Sequence, residues 1–129
     1  MNKFRMIAAA LASTVAFAPP VFAEWTKVGE GVNGNTFYID YDTIKENNGY
    51  VYYWDLNDKL KPSKDGHLSS KAYIQGDCKL FRFQYLSISY HKEPMGGGTG
   101  ETVTYDDDGW NYPPPKSVAE IKLEQVCNR

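Results

Sequence analysis

After residue 23, apolar and polar positions alternate along most of the chain, and the alternation stops at clusters of glycine, asparagine and aspartate. Such alternation is the mark of strands with one buried face. It predicts a short first strand over Glu24 to Gly29 and a second over Thr36 to Asp40, separated by turn residues. Asp40 to Ile44 reads as a tight turn in which Asp40 or Asp42 bonds nearby backbone amides. Asn47-Asn48-Gly49 is a strong turn signal. Tyr50 to Leu56 is the clearest strand, with Tyr50, Tyr52, Trp54 and Leu56 on one face and Val51, Tyr53 and Asp55 on the other. Leu68 to Gly76 groups Leu68, Ser70, Ala72 and Ile74. Between Lys79 and His91 the apolar face changes parity, from Phe81, Phe83 and Tyr85 to Leu86, Ile88 and Tyr90. A bulge near Tyr85-Leu86 would explain the switch, and so would a strand covered on both faces; a bulged or strongly bent strand is the favoured reading. Pro94 to Gly100 is a glycine-rich hairpin connection, Glu101 to Tyr105 a short strand, and Asp106-Asp107-Asp108-Gly109 a turn.

The period then changes. Pro113-Pro114-Pro115 is a stiff extended lead-in. Ser117-Val118-Ala119-Glu120 is a capping box, in which the serine oxygen bonds an early helix amide and Glu120 reaches back. Ala119, Leu123, Val126 and Cys127 recur on one helical face, Val118 and Ile121 widen it, and Lys122, Glu124 and Gln125 are polar. The expected architecture is α+β: a single antiparallel sheet of about six strands with one C-terminal helix of about ten residues packed on it.

The first 23 residues follow a different grammar. Lys3 and Arg5 precede an apolar run from Met6 to Ala18, Pro19-Pro20 interrupts it, and Val21-Phe22-Ala23 presents a peptidase site. This is the order of a secretory signal, with cleavage expected between Ala23 and Glu24. The apolar run would rise only about 20 Å as a helix, against about 30 Å of hydrocarbon. The division is therefore a cleaved signal peptide over 1–23 and a domain over 24–129, exported, periplasmic, with the cell surface or secretion as the alternative. Lys3 and Arg5 leave with the signal and no acid does, which takes the formal charge from −2 to −4. An acidic domain offers nucleic acid no electrostatic footprint. No cysteine follows the signal to accept lipid, so neither a lipid anchor nor membrane insertion after cleavage is expected. The 129 residues allow one domain, and the 15% aromatic content argues against a disordered chain.

The only cysteines are Cys78 and Cys127. In an oxidising compartment they read as one structural disulfide, which would pin the helix to the sheet. Zinc would need more ligands than these two and His67 or His91 supply at short spacing. The two histidines show no catalytic surroundings, and Asp106-Asp107-Asp108 lacks the spacing of a calcium loop. Gly96-Gly97-Gly98-Thr99-Gly100 has no lysine or helix to make it a phosphate loop. No catalytic, metal or cofactor residue is assigned, and no cofactor is expected.

The ordered set Trp25, Val28-Gly29, Phe37-Tyr38-Ile39-Asp40, Thr43-Ile44, Gly49, Val51, Trp54, Leu56, Ser69-x-Lys71, Asp77-Cys78, Trp110-x-Tyr112-x-x-Pro115-x-Ser117 and Cys127 resembles the bacterial surface-adhesin protein E-like family. The resemblance spans nearly the whole exported domain. It implies an antiparallel sheet of about six strands with a helix held to it by a disulfide. It also implies a non-enzymatic, binding or adhesion-type module of the Gram-negative envelope. The family's named member is a lipoprotein that binds host extracellular-matrix components and dimerises. A protein partner or a host matrix component is thus the expected ligand, and a homodimer is allowed. No ligand-binding residue carries over. The alternative is a periplasmic structural protein or an enzyme inhibitor with no adhesin role.

Overall fold

A computed structural model describes residues 24–105 and 109–129. The expected Asp106-Asp107-Asp108 turn and the signal segment, Ala23 included, lie outside the described residues. Among these, seven strands form one antiparallel sheet: β1 (Thr26–Glu30), β2 (Thr36–Ile39), β3 (Lys45–Asn47), β4 (Tyr50–Asp58), β5 (Ser69–Asp77), β6 (Arg82–His91) and β7 (Gly100–Thr104). A single α-helix, α1 (Val118–Cys127), follows. The spatial order is β1-β2-β4-β5-β6-β7.

β3 is the strand the alternation did not predict. Its residues Lys45, Glu46 and Asn47 are all polar and exposed, so no periodicity marks it. It exists because the hairpin turn forces it beside β4: Asn48 and Gly49 adopt φ of 52° and 84°, as a primed two-residue turn requires. β2 and β3 share one edge of β4. Ile39 pairs with Asp55, and Lys45 pairs with Tyr52. Between them the chain makes a 3-10 turn over Tyr41–Thr43, entered by Asp40, whose Oδ1 accepts the Asp42 N–H at 3.2 Å. The expected Asp40 turn is thus an offset that carries one strand line around a corner.

The parity change in β6 is a bulge. Tyr73 pairs with Ser87 but Ile74 pairs with Tyr85, leaving Leu86 as the extra residue. Phe83 and Tyr85 before it and Ile88 after it therefore share one sheet face. That inner face is the core: Ile39, Val51, Tyr53, Ala72, Ile74 and Phe83 are buried with Leu123 and Val126 of α1. Tyr53 lies beneath the helix, in the core with Leu123 and Val126. The ring is 1% exposed, and burial pushes its hydroxyl pKa well above the ordinary tyrosine range. Gly76 lets the helix approach. A Cβ there would sit 2.9 Å from Val51 Cγ1 and 3.0 Å from Leu123 Cδ1.

The helix begins as its capping box predicts, in part. Ser117 Oγ accepts the Glu120 N–H at 3.1 Å, but the Glu120 carboxylate accepts from Lys116 N at 2.9 Å rather than from Ser117 N. Lys122 departs from expectation. It is buried rather than solvated, and its Nζ donates to Asp55 Oδ2 at 2.5 Å beneath the helix, 5.0 Å from the Phe37 ring centroid. Burial raises the Asp55 carboxyl pKa, and Lys122 only partly offsets it.

Cys127 ends the helix and joins Cys78 across 49 residues of sequence, with Cα atoms 5.6 Å apart. Asp77 shapes the turn that presents Cys78. Its Oδ1 accepts from Lys79 N at 3.1 Å and Leu80 N at 3.2 Å, and its Oδ2 from Arg82 Nε at 2.8 Å. Burial pushes the Asp77 carboxyl up, but Arg82 and the two amides outweigh it and hold the pKa below the usual range.

Candidate functional site

Among the described residues, no α-helix lies over the opposite face of the sheet. Tyr50, Tyr52 and Trp54 of β4 point there because Val51, Tyr53 and Asp55 take the core side. Cross-strand pairing extends them into an aromatic line. Tyr73, opposite Trp54, lies 4.9 Å from it and 6.2 Å from Tyr52, centroid to centroid. At one end Tyr50 stacks on Trp110 at 5.6 Å, and the Arg82 guanidinium sits 4.4 Å over the Trp110 ring. Trp110 reaches this place because Phe83 and Asn111 exchange backbone hydrogen bonds at 2.9 and 2.8 Å, which carries the chain along β6.

The two halves of the open face differ. Around Tyr52 a side-chain ladder fills the surface: Gln75 Nε2 donates to Tyr52 OH at 3.1 Å, and Gln84 Nε2 to Gln75 Oε1 at 2.6 Å. Beyond Trp54 the surface sinks into a trough of about 300 Å³. Trp25, Asp40 and Thr43 form one end, Trp54 and Lys71 the floor, and Ser87, Ser89 and Thr102 the other end. Its backbone floor is closed chemistry, since β4, β5 and β6 each have ladder partners on both edges. Only side chains are on offer.

The β6–β7 connection is more than a loose link. After Glu93 it makes a 3-10 turn over Pro94–Gly96 that packs on β4 and β5. Ser69 Oγ donates to Glu93 O at 2.6 Å and accepts from Gly96 N at 2.8 Å, and Asp58 Oδ1 accepts from Met95 N at 2.8 Å. Gly96, at φ 73°, leaves space for the Lys71 stem; a Cβ would meet Lys71 Cδ at 2.9 Å. The Lys71 ammonium joins no ion pair among the described residues.

His91 is a buried structural residue. Its Nε2 shares a 2.8 Å hydrogen bond with Ser89 Oγ, and its Nδ1 lies 3.4 Å from Gly98 O. His67 packs on Tyr90 at 5.5 Å, in a separate shallow hollow with Glu101. Neither histidine lines the trough. Cys78 and Cys127 are both in the bridge, and Glu24, the first described residue, is exposed. No group of three or more metal-ligating side chains occurs among the described residues, and no described helix is long and apolar enough to cross a membrane.

The sequence reading assigned no binding residue and so missed the trough. Its signal was present in Trp54 on the aromatic face of β4. What joins Trp54 to Trp25, Lys71, Ser87 and Thr102 is strand register, which no single segment encodes.

The profile of the surface-adhesin protein E family matches residues 25–128. Among solved structures, crystal form II of Haemophilus influenzae protein E superposes with a TM-score of 0.64 at 17% identity, covering 87% of this chain and 94% of that one. Protein E from non-typeable Haemophilus influenzae gives a TM-score of 0.53 at 16% identity, covering 87% of this chain and 79% of that one. A search of curated protein sequences matches none. At these identities the superpositions speak for the fold, including the single sheet with its C-terminal helix.

Proposed function

The chain belongs to the surface-adhesin protein E family, and from that premise we propose that it is an exported, non-enzymatic binding module that recognises its ligand through the open sheet face. The observation that carries this reading is the trough: a recess lined by two tryptophans, hydroxyls and an ammonium that joins no ion pair among the described residues. Tryptophan half-exposed beside fixed polar groups is the composition of recognition surfaces. The partner is a protein or a host extracellular-matrix component.

The signal peptide is removed after Ala23, and the domain from Glu24 onward works in the periplasm or at the cell surface. Both cysteines lie in the bridge, so neither serves as a lipid acceptor. That supports the periplasm as the first compartment to test. The test is capture by the immobilised exported protein, with Trp54→Ala beside the parent, together with fractionation of the producing cells. Specific partner retention that Trp54→Ala abolishes, with an unchanged circular dichroism spectrum, is expected. Equal retention by both proteins would remove the open face from the reading.

A further inference from the structure

We propose that the trough takes an acidic saccharide, with the saccharide's carboxylate on Lys71. This rests on the open face being the recognition surface and names the ligand chemistry within it.

The trough carries separated charges. Asp40, 3% exposed, stands at the Trp25 end, and among the described residues its Oδ1 has only the Asp42 N–H as a partner. Lys71 stands across the floor, its stem along Gly96, its ammonium in no hydrogen bond or ion pair among the described residues. An ammonium held in place without a counter-charge is an anion site. Ser87 and Thr102 add hydroxyls that make no hydrogen bond within the described chain, and Asp40 adds an acceptor for ligand hydroxyls. Trp25 and Trp54 supply indole surface for the C–H faces of a sugar ring.

The alternatives fit less well. An extended peptide is recognised through main-chain hydrogen bonds. The trough floor has no free backbone N–H or C=O to give, because β4, β5 and β6 are paired on both sides. A bare inorganic anion would use Lys71 and leave both indoles idle. The recess, about 300 Å³, is at the small end of ligand pockets, which suits a single sugar unit.

The test is titration of the exported protein with N-acetylneuraminate and glucuronate, with glucose and acetate as controls, read by tryptophan fluorescence and backbone amide shifts. Saturable binding of an acidic sugar is expected, with shifts at Trp54, Ser87 and Thr102. Glucose and acetate should each bind about tenfold more weakly or worse. Lys71→Gln should lose about tenfold in acidic-sugar affinity, Lys71→Arg should retain most of it, and Lys79→Gln, outside the trough, should change nothing. Acidic and neutral sugars binding alike, shifts outside the trough, or an unchanged Lys71→Gln would each overturn the proposal. Should a captured protein partner depend on Trp54 while no acidic sugar binds, the saccharide proposal falls and the recognition face stands.

Discussion

The two faces of one sheet solve different problems with the same residue types. On the inner face, tyrosine and lysine are buried beneath a helix: Tyr53 is fully enclosed and Lys122 is locked to Asp55. On the outer face, tyrosine, tryptophan and lysine stand half-open, and among the described residues Lys71 has no carboxylate partner. Alternation along β4 sends Tyr53 to the first face and Trp54 to the second. Changes on the inner face should therefore register as lost stability, and changes on the outer face as lost binding.

The sharpest test of that contrast is Lys122→Met, which strands a buried carboxylate. Breaking such a pair costs about 3–5 kcal/mol. Adding Asp55→Leu should recover most of the loss, since paired apolar replacement of a buried ion pair is close to neutral. Urea unfolding of the single and double variants checks both. Reduction, or Cys78→Ser with Cys127→Ser, should cost about 4 kcal/mol for a loop of 49 residues on the chain-entropy account, read as a lowered Tm. Gly76→Ala would push a methyl against Val51 and Leu123, and overpacking of this kind costs about 1–3 kcal/mol.

Asp77 gives the pH arm. Its folded pKa lies below the unfolded carboxylate value of about 4, so its stabilisation is complete above that value. The stabilisation is lost as pH falls through the lowered folded pKa. Asp77→Asn should cost about 1–2 kcal/mol at neutral pH and flatten the acid limb of stability against pH. At the other extreme, Ser87→Ala on the outer face should shift stability by no more than about 0.5 kcal/mol. A larger loss there would erase the distinction between the faces.

Much of this plan was legible in the residues. Period two marked β4 and β5, the parity switch marked the Leu86 bulge, and the Ser117 box with its 3-10-turn counterpart at Asp40 marked two caps. Other features were hidden for identifiable reasons. β3 is all polar and owes its existence to its hairpin. Lys122 sits between Ala119 and Val126 on the apolar stripe, and only its charge set it apart from them; its partner Asp55 stood on the Val51–Tyr53 face throughout. The trough draws on residues from Trp25 to Thr102, and its assembly depends on which strands become neighbours.

The Cys78–Cys127 link closes β6, β7 and α1 into a covalent ring, with β1 to β5 attached as a tail. A protease that clips the glycine-rich span between Gly96 and Gly100 therefore opens a ring rather than severing a chain. The clipped protein would weigh one water more and still travel as a single species until its sulfurs were reduced. A protein so built tolerates a wound in its most glycine-rich crossing without shedding a fragment.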